Sequence, residues 1–447
     1  MIQKIYYYVL LLIGLNVAVP LSADTWKVLF YMNSTDQLSD MAIKNMTDMI
    51  RGKPEDTVDF LIQLHAYHQT GLRYRVTKTG LVFIEEISLS NDARQNIGDA
   101  ITWAFADKPM PGHASADHTM LILSNHGWGI LDPIWNEHKQ EWQVAAEQLS
   151  TTNLMKRSSI NASEQGYQNH QNHTSHKDHK GFMFTVDPRT YLTSNELTDA
   201  VAYAANVVLG HKKLSIVAFD TCMGDMFEIG YNLAPYADYL VGSQGCALPD
   251  GFEYQSIMQA LNKGLSPRGL VQSMVHTFDA YYAAYDKEGV YTHAALDLSC
   301  IKQASRSLNT LIVKLLQRSD CKQLFSKAAK QAPRFCRWPM YTDLIAFCKC
   351  LQEQVTNQFS NEEKSDEFIK IQELFKTFYQ DMEKVIVARC AGFNAHGQAH
   401  GVAIYLPDDA PIAYCYYETI FAWESQWINL LEVMFDAATT DLDTRYS

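Results

Sequence analysis

Short runs of apolar residues, interspersed with segments of helical character, constrain this chain more than any other feature. The runs are Thr25–Met32, Val58–Leu64, Thr119–Ser124, Leu214–Phe219 and Asp238–Gly242. Each is a nearly continuous apolar stretch, which is typical of strands that are buried on both faces. Strands of this kind that alternate with helices build a parallel sheet covered on both sides. The sequence therefore predicts an α/β fold with a largely parallel central sheet.

Helices and a hairpin are predicted between and after these strands. Helical spacing covers Met41–Ile50, Asp92–Phe105, Leu192–Leu209 and Asp225–Ala234, and a hairpin joins Leu72–Thr77 to Leu81–Glu85. The C-terminal part is more helical, with helices over Pro267–Ala283, Ser299–Gln317, Leu344–Gln358, Glu362–Val387 and Tyr414–Phe435, and one further strand over Gly401–Leu406. We therefore expect residues 24–447 to form one domain with a helical C-terminal extension.

The N-terminus has the pattern of a secretory signal. Lys4 supplies a short basic region, Ile5–Val19 is mostly apolar, and Pro20–Ala23 offers the small residues that a signal peptidase reads. A membrane anchor is the less favoured alternative, because the apolar run is short for a span. We therefore predict that residues 1–23 are a signal peptide and that the protein is exported, to a periplasm or outside the cell, without a remaining membrane anchor.

The overall charge bears on the choice of partners. The formal net charge is −13. Nucleic acid is an unfavourable partner for such a chain, because its phosphates require a basic surface. We predict no nucleic-acid partner.

The chain has nine cysteines. Because this number is odd, at least one cysteine stays outside any disulfide, even in an exported protein. Cys348 and Cys350 have a spacing too tight for the usual zinc motif. Most of the cysteines are interpreted as small buried hydrophobes. Cys222 is the exception because of its position in the sequence.

A polar segment interrupts the strand and helix pattern from about residue 150 to residue 180. Its histidines His170, His173, His176 and His179 recur at every third position. The composition predicts an exposed or disordered loop. A metal-binding tract is the alternative, but this spacing suits neither one face of a helix nor one face of a strand. We therefore prefer a polar linker and predict no metal.

His126 and Cys222 each follow an apolar strand of the predicted sheet. In α/β sheets, functional sites form beyond the carboxyl ends of the strands. Cys222 lies where a strand gives way to a predicted helix, whose N-terminus would favour the thiolate. His126 could transfer the proton, and Gly127 allows a close backbone approach and an N–H donor. Either residue alone is more often structural, but together they favour a Cys–His dyad.

The chain resembles the clostripain-like cysteine peptidases, relatives of the caspases, legumain, separase and gingipains. The resemblance runs along nearly the whole mature chain. It rests on the order and spacing of six segments: Trp26–Asn33, Asn125–Gly129, Phe219–Met223, Pro249–Tyr254, Ala294–Leu298 and Gly401–Pro407. It implies a caspase-like three-layer sandwich and an endopeptidase that forms a thioester intermediate.

The resemblance also implies roles for individual residues. Cys222 would be the nucleophile and His126 its partner, and the N–H groups of Gly127 and Cys222 would form the oxyanion hole. Asp220 would lie at the floor of the S1 pocket and select a basic P1 side chain, with Asp250 as a second acid of the pocket wall. A structural Asp that caps the turn is the alternative for Asp220.

One loop departs from the family pattern. Many relatives carry Ser-Glu-Glu after the strand that ends at Gly242, whereas this chain has Ser243-Gln-Gly-Cys246. The absence of these acids argues against a strict requirement for Arg or Lys at P1, whereas Asp220 and Asp250 argue for a basic residue.

Family members are often zymogens that cut themselves after the His-Gly motif. Lys139, Lys156 and Arg157 are candidate cleavage sites in the region 139–180 of this chain. The resemblance implies no cofactor for the chemistry; calcium is possible, but no calcium loop is recognisable. We expect a monomer that acts on peptides or proteins and that would consist of two associated chains after self-cleavage. The alternatives are a catalytically silent homologue that binds peptides or a partner, a peptidase with a non-basic P1 preference, and a metal-binding protein that uses the histidine tract.

Overall fold

The computed structural model describes residues 24–33, 39–66, 69–106, 115–131, 133–136, 141–144, 182–186, 189–334, 340–359, 365–395, 397–407 and 412–435. The predicted signal peptide and the histidine tract lie outside these residues. In the part of the chain that is described, no helix is both long and apolar enough to cross a membrane.

The strands and helices follow each other in the following order. The strands are β1 (Trp26–Asn33), β2 (Val58–Ala66), β3 (Thr70–Thr77), β4 (Gly80–Ser88), β5 (His118–Ser124), β6 (Pro133–Asn136), β7 (Glu141–Val144), β8 (Phe182–Val186), β9 (Arg189–Leu192), β10 (Leu214–Asp220), β11 (Ala237–Gly242), β12 (Thr292–Asp297), β13 (Tyr341–Asp343), β14 (Ile386–Ala391) and β15 (Ala403–Tyr405). The helices are α1 (Ser39–Arg51), α2 (Ala93–Phe105), α3 (Ser194–Tyr203), α4 (Phe227–Leu233), α5 (Tyr254–Asn262), α6 (Pro267–Tyr285), α7 (Leu298–Leu316), α8 (Cys321–Gln331), α9 (Leu344–Gln358), α10 (Asp366–Val385), α11 (Tyr414–Tyr417), α12 (Ile420–Glu424) and α13 (Trp427–Phe435). A π-helical turn, Ala204–Val208, extends α3.

Nine strands form the central sheet, in the order β14-β12-β11-β10-β5-β1-β2-β3-β4. The five inner strands from β11 to β2 are parallel. The strands outside them, β12 and β14 on one side and β3 and β4 on the other, pair antiparallel. The prediction of a largely parallel sheet is confirmed. Parallel neighbours bring the carboxyl ends of β5 and β10 to the same edge, where the candidate residues lie.

Helices cover both faces of this sheet, because the inner strands are apolar on both sides. Along β5, Leu121 and Leu123 pack into one core, whereas Met120 and Ile122 pack into the other. The first core contains the buried faces of α2, α3, α4 and α7 to α10. The second core contains those of α1, α5 and α6. The architecture is therefore the predicted three-layer sandwich.

Several predicted helices have different bounds in the structure. The segment predicted as Glu362–Val387 is a helix only to Val385, and its last residues enter β14 as an edge strand. The segment predicted as one helix over Tyr414–Phe435 is divided into α11, α12 and α13, with Thr419 capping α12. The helix predicted over Leu192–Leu209 begins with the expected capping box of Thr193 and Glu196 and ends in the π-helical turn.

The cysteines divide into thiols outside any disulfide and one disulfide-bonded residue in the described part of the chain. The cysteines outside any disulfide are Cys222, Cys300, Cys321, Cys348, Cys350, Cys390 and Cys415, and Cys348 and Cys415 among them are buried. Cys246 is disulfide-bonded, and Cys336 lies outside the described residues. An odd number of cysteines requires at least one that is not in a disulfide, and the half-buried Cys222 is one of these.

Candidate active site

The ends of β5 and β10 bring His126 and Cys222 to the same level of the sheet. Ser124 pairs with Asp220 in the parallel register of these two strands. His126 lies two residues beyond Ser124, and Cys222 lies two residues beyond Asp220. Because the strands are adjacent and in this register, the two motifs leave the sheet side by side. Both side chains are half-buried.

Gly127 brings the backbones of these motifs into direct contact. A Cβ atom at this position would overlap the carbonyl oxygen of Cys222 and would lie 2.6 Å from Thr221 Oγ1. A side chain at residue 127 would therefore push the two strand ends apart. Gly127 also forms an isolated antiparallel bridge with Phe182, the first residue of β8. The chain that returns from the region 145–181 thus meets the sheet beside the His-Gly motif.

The loop after β11 holds Cys222 from the other side. The Ala247 N–H donates to Cys222 Sγ at 3.3 Å, and the Met223 N–H donates to the Gly245 carbonyl at 2.8 Å. Met223 has a φ of +53°, an unfavourable conformation for a residue with a side chain. A hydrogen bond to sulfur favours the thiolate over the thiol. The loop therefore fixes the direction of the cysteine and supplies a donor to its sulfur.

The predicted contribution of a helix N-terminus to Cys222 is wrong. The helix expected to begin at Asp225 begins at Phe227 and has seven residues. Four residues separate its first turn from Cys222, and the effect of a helix dipole is confined to the first turn. The Ala247 N–H, from the loop after β11, donates to the sulfur instead.

Asp220 is a buried carboxylate at the end of β10. Its side chain accepts hydrogen bonds from Tyr254 Oη at 2.5 Å and Ser124 Oγ at 3.4 Å. Burial raises the pKa of Asp220 to about 6, although the bonds from Tyr254, the Phe252 N–H and Ser124 act in the opposite direction. Gly251 packs over the carboxylate with a φ of +66°, and a Cβ atom there would lie 2.5 Å from Oδ2. The acid is thus held ionised at neutral pH in a largely dry position.

Asp250 lies in the loop next to Asp220 but faces a different set of groups. Its Oδ2 accepts a hydrogen bond from Tyr281 Oη at 2.5 Å and lies 3.9 Å from Lys44 Nζ. The side chain is 40 % exposed, so solvent and ligands can reach it. The loop from Pro249 to Tyr254 therefore contacts the buried Asp220 and contains the partly exposed Asp250.

Gln244 lies in the Ser243–Cys246 loop, at one of the positions where many relatives of the resembled family carry an acid. Its side chain is buried. Its Nε2 donates to Asp343 Oδ2 at 3.1 Å, and its Oε1 accepts the Gly401 N–H at 2.7 Å. The amide therefore faces the buried Asp343, where a second carboxylate would be repelled. Gln244 complements Asp343, so its lack of charge reflects packing within the loop.

Gln244→Glu is therefore expected to destabilise the protein. The substitution puts a carboxylate oxygen in place of Nε2, which lies 3.1 Å from Asp343 Oδ2. Two buried carboxylates in such contact cannot both be ionised without a large cost, and we expect a loss of about 3 kcal/mol in the free energy of unfolding at pH 8. Urea denaturation at pH 8 measures it. Gln354→Glu is the control, since Gln354 donates to the neutral Gln331 at the surface. Equal stability of Gln244→Glu and the wild type would contradict this account of the loop.

Several residues of this site were not found by sequence reasoning. Lys44, Tyr281 and Asp343 come from α1, α6 and β13, and they belong to no motif. Tyr254 is in the Pro249–Tyr254 segment, but nothing in the sequence assigned it to Asp220. The candidate cleavage residues Lys139, Lys156 and Arg157 lie outside the described residues. Within those residues, no group of three or more His, Cys, Asp or Glu side chains is arranged to hold a metal ion.

Comparisons with known proteins show the family of this chain and the fold that it shares with solved structures. The sequence profile of the clostripain family matches residues 163–434. A search of curated proteins gave no match. Two solved structures share the fold: an inactive zymogen C11 protease from Parabacteroides distasonis, with 15% identity and a TM-score of 0.59, and a secreted C11 cysteine protease from Bacteroides thetaiotaomicron in complex with an irreversible peptide inhibitor, with 15% identity and a TM-score of 0.60. In both comparisons, 92% of this chain and 99% of the other chain are covered.

Proposed function

Because the chain belongs to the clostripain family and is therefore a cysteine-type peptidase, we propose that it hydrolyses peptide bonds with Cys222 as nucleophile and His126 as proton-transfer partner. The observation that carries this proposal is the register of β5 and β10, which sets both residues two positions beyond a paired strand end. The close approach of Gly127 to Cys222 supports it. Catalytic hydrogen bonds are often long in a free enzyme and shorten when substrate binds. The adjacency of the two motifs is therefore the relevant criterion for a dyad.

The reaction follows from these groups in two steps. The Cys222 thiolate attacks the scissile carbonyl carbon, and the N–H groups of Gly127 and Cys222 stabilise the negative oxygen. The C–N bond breaks, His126 gives a proton to the leaving amine, and a thioester remains on the sulfur. Water, which loses a proton to His126, then attacks the thioester and releases the acid product and the thiolate. The dyad needs no third residue.

The P1 preference is proposed to be Arg or Lys, with Asp220 as the selecting acid. A buried carboxylate without a cation in hydrogen-bond contact is costly, and a cationic side chain of a substrate would compensate it. Asp220 bonds only hydroxyl and N–H donors among the contacts described above. Its position two residues before Cys222 supports a role in holding the side chain next to the scissile bond.

A panel of fluorogenic peptides tests this function. The peptides differ only at P1, with Arg, Lys, norleucine, Asp and Ala, and each is assayed with and without prior treatment of the enzyme with a thiol alkylator. Alkylator-sensitive hydrolysis after Arg and Lys is the expected result. Hydrolysis after norleucine alone would favour a non-basic preference. No hydrolysis of any peptide, together with an unreactive Cys222, would favour a silent peptide-binding homologue.

Self-processing is proposed for the region 139–180. The support is the bridge between Gly127 and Phe182, because the chain that returns from this region meets the sheet beside His126. We expect wild-type protein to be cut after Lys139, Lys156 or Arg157 and the Cys222→Ala variant to stay intact. Mass spectrometry of both proteins, purified in parallel, measures this. The same fragments in both samples would exclude self-processing.

Export by the segment 1–23 is also proposed. The support is the signal pattern of the sequence together with the position of Asp24, whose carboxylate lies 3.0 Å from His118 Nε2 at the beginning of β5. N-terminal sequencing of the mature protein would give Asp24 as the first residue if cleavage follows Ala23. We further propose that the peptidase acts as a monomer, made of two associated chains after self-processing, without a metal or other cofactor.

A further inference from the structure

Lys44 is a cation next to the proposed S1 acids that no sequence motif indicated. It lies on α1, and its Nζ is 3.1 Å from Asp48 Oδ2 and 3.9 Å from Asp250 Oδ2. The Nζ also lies 5.4 Å from the centre of the Tyr281 ring. Because Asp48 is one helical turn further along α1, the ion pair with it holds the lysine in place.

Asp250 interacts with two groups of the protein, a hydroxyl and an ammonium. Tyr281 Oη donates to the same oxygen, Oδ2, that Lys44 approaches. The charge of Asp250 is therefore partly neutralised before a substrate arrives. Lys44 also acts on Asp220: burial raises the pKa of that carboxyl, and the charge of Lys44 acts in the opposite direction. The lysine thus interacts with both acids that would receive a basic P1 side chain.

A substrate cation and Lys44 would compete for the same negative charge. The Lys44 side chain is 32% exposed and that of Asp250 is 40% exposed, so the pair is open to solvent and exchangeable. An ion pair of this exposure is weak. A P1 Arg that enters the pocket can therefore displace it, but must first overcome the repulsion of the lysine.

We propose that Lys44 is a specificity-determining residue that neutralises Asp250 and lowers the affinity of the S1 pocket for basic P1 side chains. This inference rests on the proposed function of the pocket. Selection of a basic P1 side chain would then depend mainly on Asp220, because Lys44 on α1 neutralises part of the charge of Asp250. Lys44 acts through Asp250 and takes no part in bond breaking.

Lys44→Met tests the inference in the full-length enzyme at pH 8. We expect KM for an Arg-P1 peptide to fall about three- to tenfold with kcat unchanged, and KM for the norleucine-P1 peptide to stay the same. Lys44→Arg keeps the charge and should restore the wild-type KM. Adding Asp250→Asn to Lys44→Met should bring KM for the Arg-P1 peptide back up, since the carboxylate that Lys44 no longer neutralises is then absent.

Arg51→Met is the matched control. Arg51 lies on the same helix and pairs with the same Asp48 at 3.1 Å, but its side chain is 64% exposed. We expect no change in KM for this variant. An unchanged or higher KM of Lys44→Met for the Arg-P1 peptide would overturn the inference, as would an equal fall for both peptides.

The outcomes also separate this inference from the proposed function. If the wild type shows no preference for Arg over norleucine but Lys44→Met gains one, the basic preference of the wild type is wrong and the role of Lys44 is supported. If neither enzyme prefers Arg, both proposals fail. If the wild type prefers Arg and Lys44→Met behaves identically, only the inference on Lys44 fails.

Discussion

Replacing Cys222 by alanine is expected to lower kcat/KM for peptide hydrolysis by about 10⁴- to 10⁶-fold. Removal of a nucleophile leaves only the contribution of binding and of the oxyanion donors. The effect on stability should stay below about 1 kcal/mol, because the half-buried sulfur accepts one backbone hydrogen bond. Steady-state kinetics with an Arg-P1 peptide, together with a thermal unfolding scan, measures both quantities.

Cys321→Ala is the control for this variant. Cys321 is another half-buried thiol outside any disulfide, at the first residue of α8. Its replacement should leave both the activity and the sensitivity to alkylation unchanged. If Cys222→Ala kept activity that an alkylator still abolished, another thiol would be the nucleophile and the site would be assigned wrongly.

Asp220→Asn should remove the preference for basic P1 residues. We expect kcat/KM for the Arg-P1 peptide to fall about 10²- to 10³-fold, because the substrate cation would be desolvated without a compensating charge. Hydrolysis after norleucine should change little, since the Tyr254 hydroxyl can still donate to the amide oxygen. A parallel loss with both peptides would show that Asp220 supports the fold of the site and does not select the substrate.

The same substitution has a predicted pH dependence. The pKa of Asp220 is about 6 in the folded protein and 3.8 in the reference state. The folded state therefore binds more protons in this range, and stability falls by about 3 kcal/mol as the pH rises from about 4 to about 6. Asp220→Asn should lack this loss and be the more stable protein at pH 8. Urea denaturation at pH 4, 6 and 8 measures the difference, and identical pH profiles would contradict the burial of an ionised acid.

Activity should follow the ionisation of the same carboxyl. Below about pH 6, Asp220 becomes protonated and no longer compensates a cation. We expect kcat/KM for the Arg-P1 peptide to fall with acidity more steeply than kcat/KM for the norleucine-P1 peptide. The ratio of the two values isolates this group, because titration of the dyad affects both peptides equally.

The interior of the fold and the β3–β4 hairpin at one edge of the sheet could be predicted from the sequence, whereas the strand at the opposite edge, β14, could not. Strands such as Thr119–Ser124 are apolar on both faces and are typical of the middle of a parallel sheet. The edge strand Ile386–Ala391 continues directly from α10, with Val385 and Ile386 on either side of the boundary. Apolar residues that continue from a helix into a strand give no signal of the change, which explains the predicted helix end at Val387.

The residues of the candidate site that local sequence places at strand ends could be predicted, whereas the contacts that depend on tertiary packing could not. His126 and Cys222 each follow an apolar strand by two residues, so the local sequence places them at the carboxyl edge of the sheet. The contacts of Asp250 with Lys44 and Tyr281 join α1, a loop and α6, which only the tertiary fold brings together. The environment of Cys222 also depends on the loop after β11, because the N–H of Ala247 in that loop donates to the sulfur.

Covalent labelling of the wild type with a peptidyl chloromethyl ketone that carries Arg at P1 tests the central claim most directly. The mass of the intact protein gives the number of adducts, and a peptide map gives their position. We predict one adduct, on Cys222, formed in step with the loss of activity and much more slowly when norleucine replaces Arg in the reagent. Adducts on Cys300, Cys321 or Cys390 in place of Cys222, or full activity in a protein labelled at Cys222, would contradict the assignment of the nucleophile.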